Sequence, residues 1–182
     1  MTVSPELTQR TIALVGLMGV GKSTIGRRLA VAMALPFRDA DSEIESAAGQ
    51  SISDIFADLG EAAFRDGERR VIARLLDQPP HVLATGGGAF AQPLTREIIR
   101  RKALTVWLKA DLDILARRVS RRDHRPLVAG KDPMAVLEAH ARDRYPHFAT
   151  ADVVVEVGDA AHHVAVDTIL AALSQRMAAL AP

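Results

Sequence analysis

The sequence predicts a three-layer α/β fold in which a mostly parallel sheet is covered by helices on both faces. Short apolar, β-branched segments alternate with helix-length amphipathic ones. The first short segment runs straight into Gly16-Leu17-Met18-Gly19-Val20-Gly21-Lys22-Ser23-Thr24, and neither an internal repeat nor a linker divides the 182 residues. Such an alternation implies right-handed crossovers, and ligands then collect beyond the carboxyl ends of the strands.

Thr11 to Val15 suits a first strand buried on both faces. A helix follows from Lys22 to about Ala34, with Ile25, Leu29 and Ala32 at helical spacing, and Pro36 stops it. Phe37 to Asp39 forms a short second strand, and Asp41 opens a helical segment that ends near Gly49. Ser51 to Phe56 reads as a short capped helix, which Gly60 separates from Glu61 to Leu76, and Pro79 and Pro80 lie beyond. His81 to Ala84 is the third strand, running into Thr85-Gly86-Gly87-Gly88, and Leu94 to Arg101 is a helix. Thr105 to Leu108 is the fourth strand, where Trp107 is a packing residue. The segment from Asp111 to Val119 is helical; Ser120 to Lys131, charged and without apolar periodicity, reads as a mobile surface loop. A helix from Pro133 to about Arg144, a strand from Val153 to Val157 and a helix from Ala161 to Leu173 complete the series.

A chain of this length fits one domain over residues 1–182 and buries a sufficient core without disulfides. That core is aliphatic, because aromatic residues are only 4% of the total. Lys plus Arg number 23 against 22 Asp plus Glu, so no global field attracts nucleic acid or an anionic membrane. Absence of cysteine excludes thiolate catalysis and Cys-ligated metal. The first ten residues do not resemble a secretion signal and no apolar run is long enough to span a bilayer, so the expected location is cytoplasmic.

Residues Gly16 to Thr24 match G-x-x-x-x-G-K-[ST], whose glycines let successive N–H groups converge on phosphate oxygens. Gly19, Val20, Gly21, Lys22, Ser23 and Thr24 are therefore expected at a nucleotide, with Lys22 on the outer phosphates and Ser23 in a magnesium shell. The competing reading is a Gly-rich turn that binds nothing. A site of this kind usually draws an acid from the end of another strand, but Val82-Leu83-Ala84 ends in Thr85 and three glycines. Asp39-Ala40-Asp41 is the best alternative supply: Asp39 for the metal, Asp41 for an acceptor hydroxyl, unless Asp41 merely caps the next helix.

A glycine triplet costs about 1 kcal/mol per residue in a regular element, so Gly86, Gly87 and Gly88 point to close backbone approach, or to a plain tight turn. Arg65 lies on a different helix face from Phe64, with Glu68 in pairing range three positions on. Arg117, Arg118, Arg121, Arg122 and Arg125 cluster across a helix exit and loop, with Arg142 and Arg144 further on. Solvated surface and RNA contact are the rival readings, and the second lacks interleaved aromatics. His124 reads as surface.

Together these motifs resemble shikimate kinase from Ile12 to the last helix. The matching pieces are the phosphate loop, Phe37-Arg38-Asp39-Ala40-Asp41, Phe64-Arg65 with Glu68, the triple glycine, Arg125-Pro126-Leu127, and Arg144 ahead of Pro146. The resemblance implies a P-loop NTPase fold like that of nucleoside monophosphate kinases, with five parallel strands in the order 2-3-1-4-5. It implies substrate-binding helices over about 41–76 and a mobile lid over about 120–131. It further implies an ATP-dependent phosphotransferase with an alcohol acceptor, which moves the γ-phosphate of ATP to the 3-hydroxyl of shikimate with Mg2+.

By the same resemblance, Lys22, Asp41 and Arg125 are catalytic, Arg65 and Arg144 hold the shikimate carboxylate, and Gly86 to Gly88 line that pocket. Arg118 lies against adenine, Arg125 meets the phosphates, and Ser23 and Asp39 serve the metal. The partners are the small molecules shikimate and ATP, with no nucleic acid and no membrane, and the expected state is a monomer. This chain departs from the family pattern at Phe148, where an aromatic hydroxyl is common, and in its basic lid segment. The rival functions are kinases for gluconate or a nucleoside monophosphate, and a nucleotide-responsive switch; no N-K-x-D guanine-reading motif is present.

Overall fold

The structure, a computed structural model, describes residues 4–121, 132–158 and 162–180. Five parallel strands form one sheet in the order β2-β3-β1-β4-β5: β1 Thr11–Val15, β2 Phe37–Asp39, β3 Val82–Ala84, β4 Ala103–Lys109 and β5 Val153–Glu156. All five residues of β1 are buried, which fits a central strand covered on both faces. The helices are α1 Pro5–Thr8, α2 Lys22–Met33, α3 Ala40–Ala48, α4 Ile52–Leu76, α5 Pro93–Lys102, α6 Leu112–Ser120, α7 Pro133–Phe148 and α8 His162–Leu180. Of these, α2 packs against α8, α4 against α5, and α6 against α7.

Strand register places the site. Leu14, Ala84 and Asp39 form one row across β1, β3 and β2, so Gly16, Gly86 and Asp41 emerge side by side just beyond it. Three segments far apart in sequence thereby meet at the carboxyl edge of the sheet, as the topology requires.

Several boundaries differ from the sequence reading. α7 continues through Pro146 to Phe148 rather than stopping near Arg144. Burial explains the extension: Phe148 is 1% exposed and its ring lies 5.9 Å from Trp107 and 6.4 Å from Phe90, so core packing draws the last turn inward. Trp107 also meets Tyr145 edge-on at 5.1 Å, which makes it a packing residue. The closing helix runs on to Leu180, and two short elements were not anticipated, α1 and a 3₁₀ turn over Ala89–Ala91. Gly60, at φ 78° and ψ 174°, breaks the helical path of α4, so the segments before and after it are the two helices expected from sequence.

A second tie joins the far edge of the sheet. The Thr105 amide and hydroxyl both donate to Asp152 Oδ2, at 2.9 and 2.7 Å, and the Asp152 amide donates back to Thr105 Oγ1 at 2.9 Å. Burial alone would raise the Asp152 pKa, but these bonds and Arg176 outweigh it and hold the carboxyl below its ordinary value. Its stabilising contribution is thus present above the unfolded pKa of about 3.9 and lost as pH falls through the lower folded value. Asp152→Ala is expected to cost about 1–3 kcal/mol, because the fully buried Thr105 loses its acceptor; urea unfolding checks this.

Candidate active site

The phosphate loop is built by backbone rather than by side chains. Gly21 precedes α2 at φ 98° with no side-chain cap, so the first amides of that helix remain available to an anion. Gly16 cannot be replaced without strain, since a Cβ there would stand 2.5 Å from the Leu108 carbonyl oxygen. Lys22 Nζ donates to the carbonyls of Gly16 at 2.8 Å and Leu17 at 3.0 Å, which folds the ammonium over the loop where phosphate would sit.

Asp39 links the loop to the acceptor side. Its Oδ2 accepts from Ser23 Oγ at 2.6 Å, and its Oδ1 accepts from the Asp41 amide at 3.1 Å. The helix cap is therefore Asp39, and the alternative that Asp41 caps α3 is corrected. Thr85, at the end of β3 where an acid is usual, is spent on structure, its hydroxyl donating to the Leu14 carbonyl at 2.9 Å. Met18, Gly19, Gly21, Lys22, Ser23, Thr24, Asp39, Asp41, Thr85 and Gly87 line one cavity.

Ser23 and Asp39 offer hard oxygen donors, the set that suits Mg2+, which takes only one or two carboxylates beside substrate phosphates. Among the described residues no group of three or more His, Asp or Glu forms a closed metal cage.

Facing the loop is a cationic wall. Arg144 on α7 reaches under the triple glycine, its Nη1 donating to the Gly87 carbonyl at 3.0 Å. Arg65 on α4 is held from two sides, by Glu68 Oε2 at 2.8 Å and by Glu61 Oε1 at 3.3 to 3.4 Å, above the Phe64 ring. Burial, and after it the charge of Arg65, lowers the Arg144 pKa. Two guanidinium groups that repel each other in a half-buried wall can each donate to an anion placed between them.

The triple glycine has a use the sequence could not reveal. A Cβ at Gly88 would lie 2.6 Å from Arg65 Nη2, and one at Gly86 would lie 2.7 Å from Glu68 Oε1 and 2.9 Å from Asp41 Oδ1. Gly86 and Gly88 thus leave room for the protein's own site side chains. Gly88→Ala meets only the movable end of Arg65, so the melting temperature should hardly change while the KM for a carboxylate acceptor rises about tenfold; steady-state kinetics with calorimetry would check both.

Arg118 on α6 lies behind the loop and donates to the Gly158 carbonyl at 2.8 Å. The Cβ position of Gly19 is 2.9 Å from Val119 and 3.9 Å from the Arg118 Cβ, so α6 backs the loop directly. Arg125, Pro126, Leu127, Arg122 and His124, and with them most of the expected lid, lie outside the described residues. Glu68 is the residue that sequence reasoning undervalued: seen as a pairing partner, it is in fact 0% exposed. Only its spacing from Arg65 hinted at this.

A Gly-rich loop ending in Lys-Ser after the central strand of a parallel 2-3-1-4-5 sheet, with two arginines and an aspartate gathered at the neighbouring strand exit, is the arrangement of a P-loop kinase. The profile of the family described as shikimate kinase matches residues 18–174. The chain belongs to the shikimate kinase family. It is 68% identical over 169 residues to the shikimate kinase of Caulobacter vibrioides strain NA1000, covering 93% of this chain and 84% of that protein. Against the shikimate kinase of Paramagnetospirillum magneticum the identity is 59%, covering 82% and 77%. A solved shikimate kinase from Acinetobacter baumannii in complex with shikimate superposes with a TM-score of 0.89 at 34% identity, over 93% of this chain and 95% of that one. A gluconokinase from Sinorhizobium meliloti, at TM-score 0.59 and 21% identity over 92% and 93%, shares the fold.

Proposed function

We propose that this chain transfers the γ-phosphate of ATP to the 3-hydroxyl of shikimate, giving shikimate 3-phosphate and ADP on the route to chorismate and the aromatic amino acids. The observation that carries the acceptor half is the convergence of Asp41, Arg144 and Arg65 on Gly86, Gly87 and Gly88, with Gly87 also against the loop at Met18.

Gly19 to Thr24 hold the triphosphate through backbone amides and the Ser23 and Thr24 hydroxyls, and Lys22 moves from its two carbonyls onto the outer phosphates. Ser23 and Asp39 would hold Mg2+, which when bound would supply positive charge to offset that of the phosphates. Arg65 and Arg144 bind the shikimate carboxylate through charge-assisted bonds, so the ring presents its hydroxyls to Asp41. Asp41 orients the 3-hydroxyl for in-line attack and accepts its proton late, since the transition state is loose and demands little base strength. Gly86 to Gly88 pack against the ring. Arg118 borders the adenine, and Arg125 meets the phosphates from a lid over about 120–131, assignments supported by position and by the Arg125-Pro126-Leu127 motif respectively.

The working state in this reading is a monomer. Among the described residues no helix is long and apolar enough to cross a membrane, and the charge is near balance; a cytoplasmic location fits both. The test is kcat/KM for shikimate, gluconate and nucleoside monophosphates side by side, with the phosphorylated product identified. Shikimate should be the preferred acceptor; preference for either rival overturns the reading.

A further inference from the structure

Glu68 is the one buried carboxylate of the site to which the mechanism above gives no part. Its side chain is 1% exposed, Oε2 is paired with Arg65, and Oε1 is buried with no hydrogen-bond partner among the described residues. Oε1 faces the space over Gly86 that Asp41 Oδ1 also borders. An orphaned buried acceptor is costly, and a carboxylate in that position is costlier still.

Counting charge sharpens the problem. Around Gly86 to Gly88, Arg65 and Arg144 stand with Glu68 and Asp41, with Glu61 at the rim, 66% exposed and only weakly bonded to Arg65; Lys22 and Asp39 lie on the loop side of Asp41. A guanidinium has five N–H donors, so an incoming carboxylate can displace Glu61 into water. Glu68 cannot leave in that way. Resting on the reading that the acceptor is shikimate, the bound pocket then holds Arg65, Arg144 and Lys22 against four carboxylates, those of the substrate, Asp39, Asp41 and Glu68, one negative charge in excess.

We propose that Glu68, the positioning residue that fixes Arg65, takes up one proton as shikimate binds, so that the occupied pocket carries balanced charge. The proton comes from the buffer, and an O–H bond forms at Oε1. Oε2 remains a neutral acceptor for Arg65, and the new hydroxyl gains a partner on the Asp41 side. Burial already raises the Glu68 pKa and Asp41 adds to it, while Arg65 and Arg144 oppose. A second anion beside Arg65 weakens that opposition. The other titratable groups nearby are Glu61 on the same helix, and His140 and Asp143 on α7; burial, then Arg144, lowers the His140 pKa, which makes His140 the rival proton acceptor.

Titration calorimetry of shikimate into the enzyme, in buffers of different ionisation enthalpy between about pH 5.5 and 8.5, counts protons directly. Expected is uptake approaching about one proton per shikimate at the maximum, with Kd rising with pH, because a proton bound on association favours binding at lower pH. Glu68→Gln, which keeps an acceptor for Arg65, should bind with no uptake and a flat pH dependence, whereas His140→Gln should retain both. Should Glu68→Gln not fold, infrared difference spectra of the wild type must show the carbonyl stretch of a protonated carboxyl appearing with shikimate. Binding without uptake at any pH, uptake retained in Glu68→Gln, uptake lost in His140→Gln, or no protonated carboxyl band each overturns the proposal while leaving the kinase reading intact. Absence of shikimate binding overturns both.

Discussion

Lys22→Ala is expected to lower kcat for phosphoryl transfer to shikimate by about 10²–10³-fold, the loss typical when one preorganised charge is removed from a transition state. The ammonium now bridges two loop carbonyls, at 2.8 and 3.0 Å, so folding of the variant has to be checked alongside its activity. Steady-state kinetics in ATP and shikimate, with circular dichroism to confirm folding, is the check. An unchanged kcat would place the donor phosphates elsewhere. ATP binding should weaken less than turnover falls, because the backbone amides of the loop remain.

Arg144→Ala should raise the shikimate KM about 10–100-fold, as expected for loss of a charge-assisted hydrogen bond, and leave the ATP KM close to wild type. Two local effects oppose each other. Removal of Arg144 relieves its repulsion with Arg65, but it also takes a cation from a pocket that must accept a carboxylate. The second effect dominates whenever substrate is present. Arg144→Lys restores charge but not the planar fork, so it should recover only part of the loss. Kinetics in both substrates decides this, and a shikimate KM unmoved in the alanine variant would remove Arg144 from the carboxylate clamp.

Much of this arrangement was legible in the sequence because it rests on local chemistry. The bounds of β1 and β2 follow from short β-branched or extended runs stopped by glycine or acid, and the loop from glycine spacing before a Lys-Ser pair. Asp39 emerged because the acid expected after Leu83 is missing, and the structure has it accept from Ser23 at 2.6 Å, beside the loop. What stayed hidden depends on packing between distant elements. Pro146 reads as a helix stop, and only the ring contacts of Phe148 show why α7 passes it. A glutamate three residues after an arginine reads only as a pairing partner, yet α4 buries Glu68 and puts its Oε1 2.7 Å from where a Cβ at Gly86 would stand. Local patterns cannot register that kind of adjacency.

The most direct test of the account is a thermodynamic cycle on the carboxylate clamp. kcat/KM would be measured for wild type and Arg144→Ala, each with shikimate and with its uncharged carboxamide analogue. Loss of the carboxylate should cost the wild-type enzyme about 10–100-fold and the variant much less, since the partner is already gone. Equal losses in both enzymes would contradict the account, because the carboxylate would then be held by something other than Arg144.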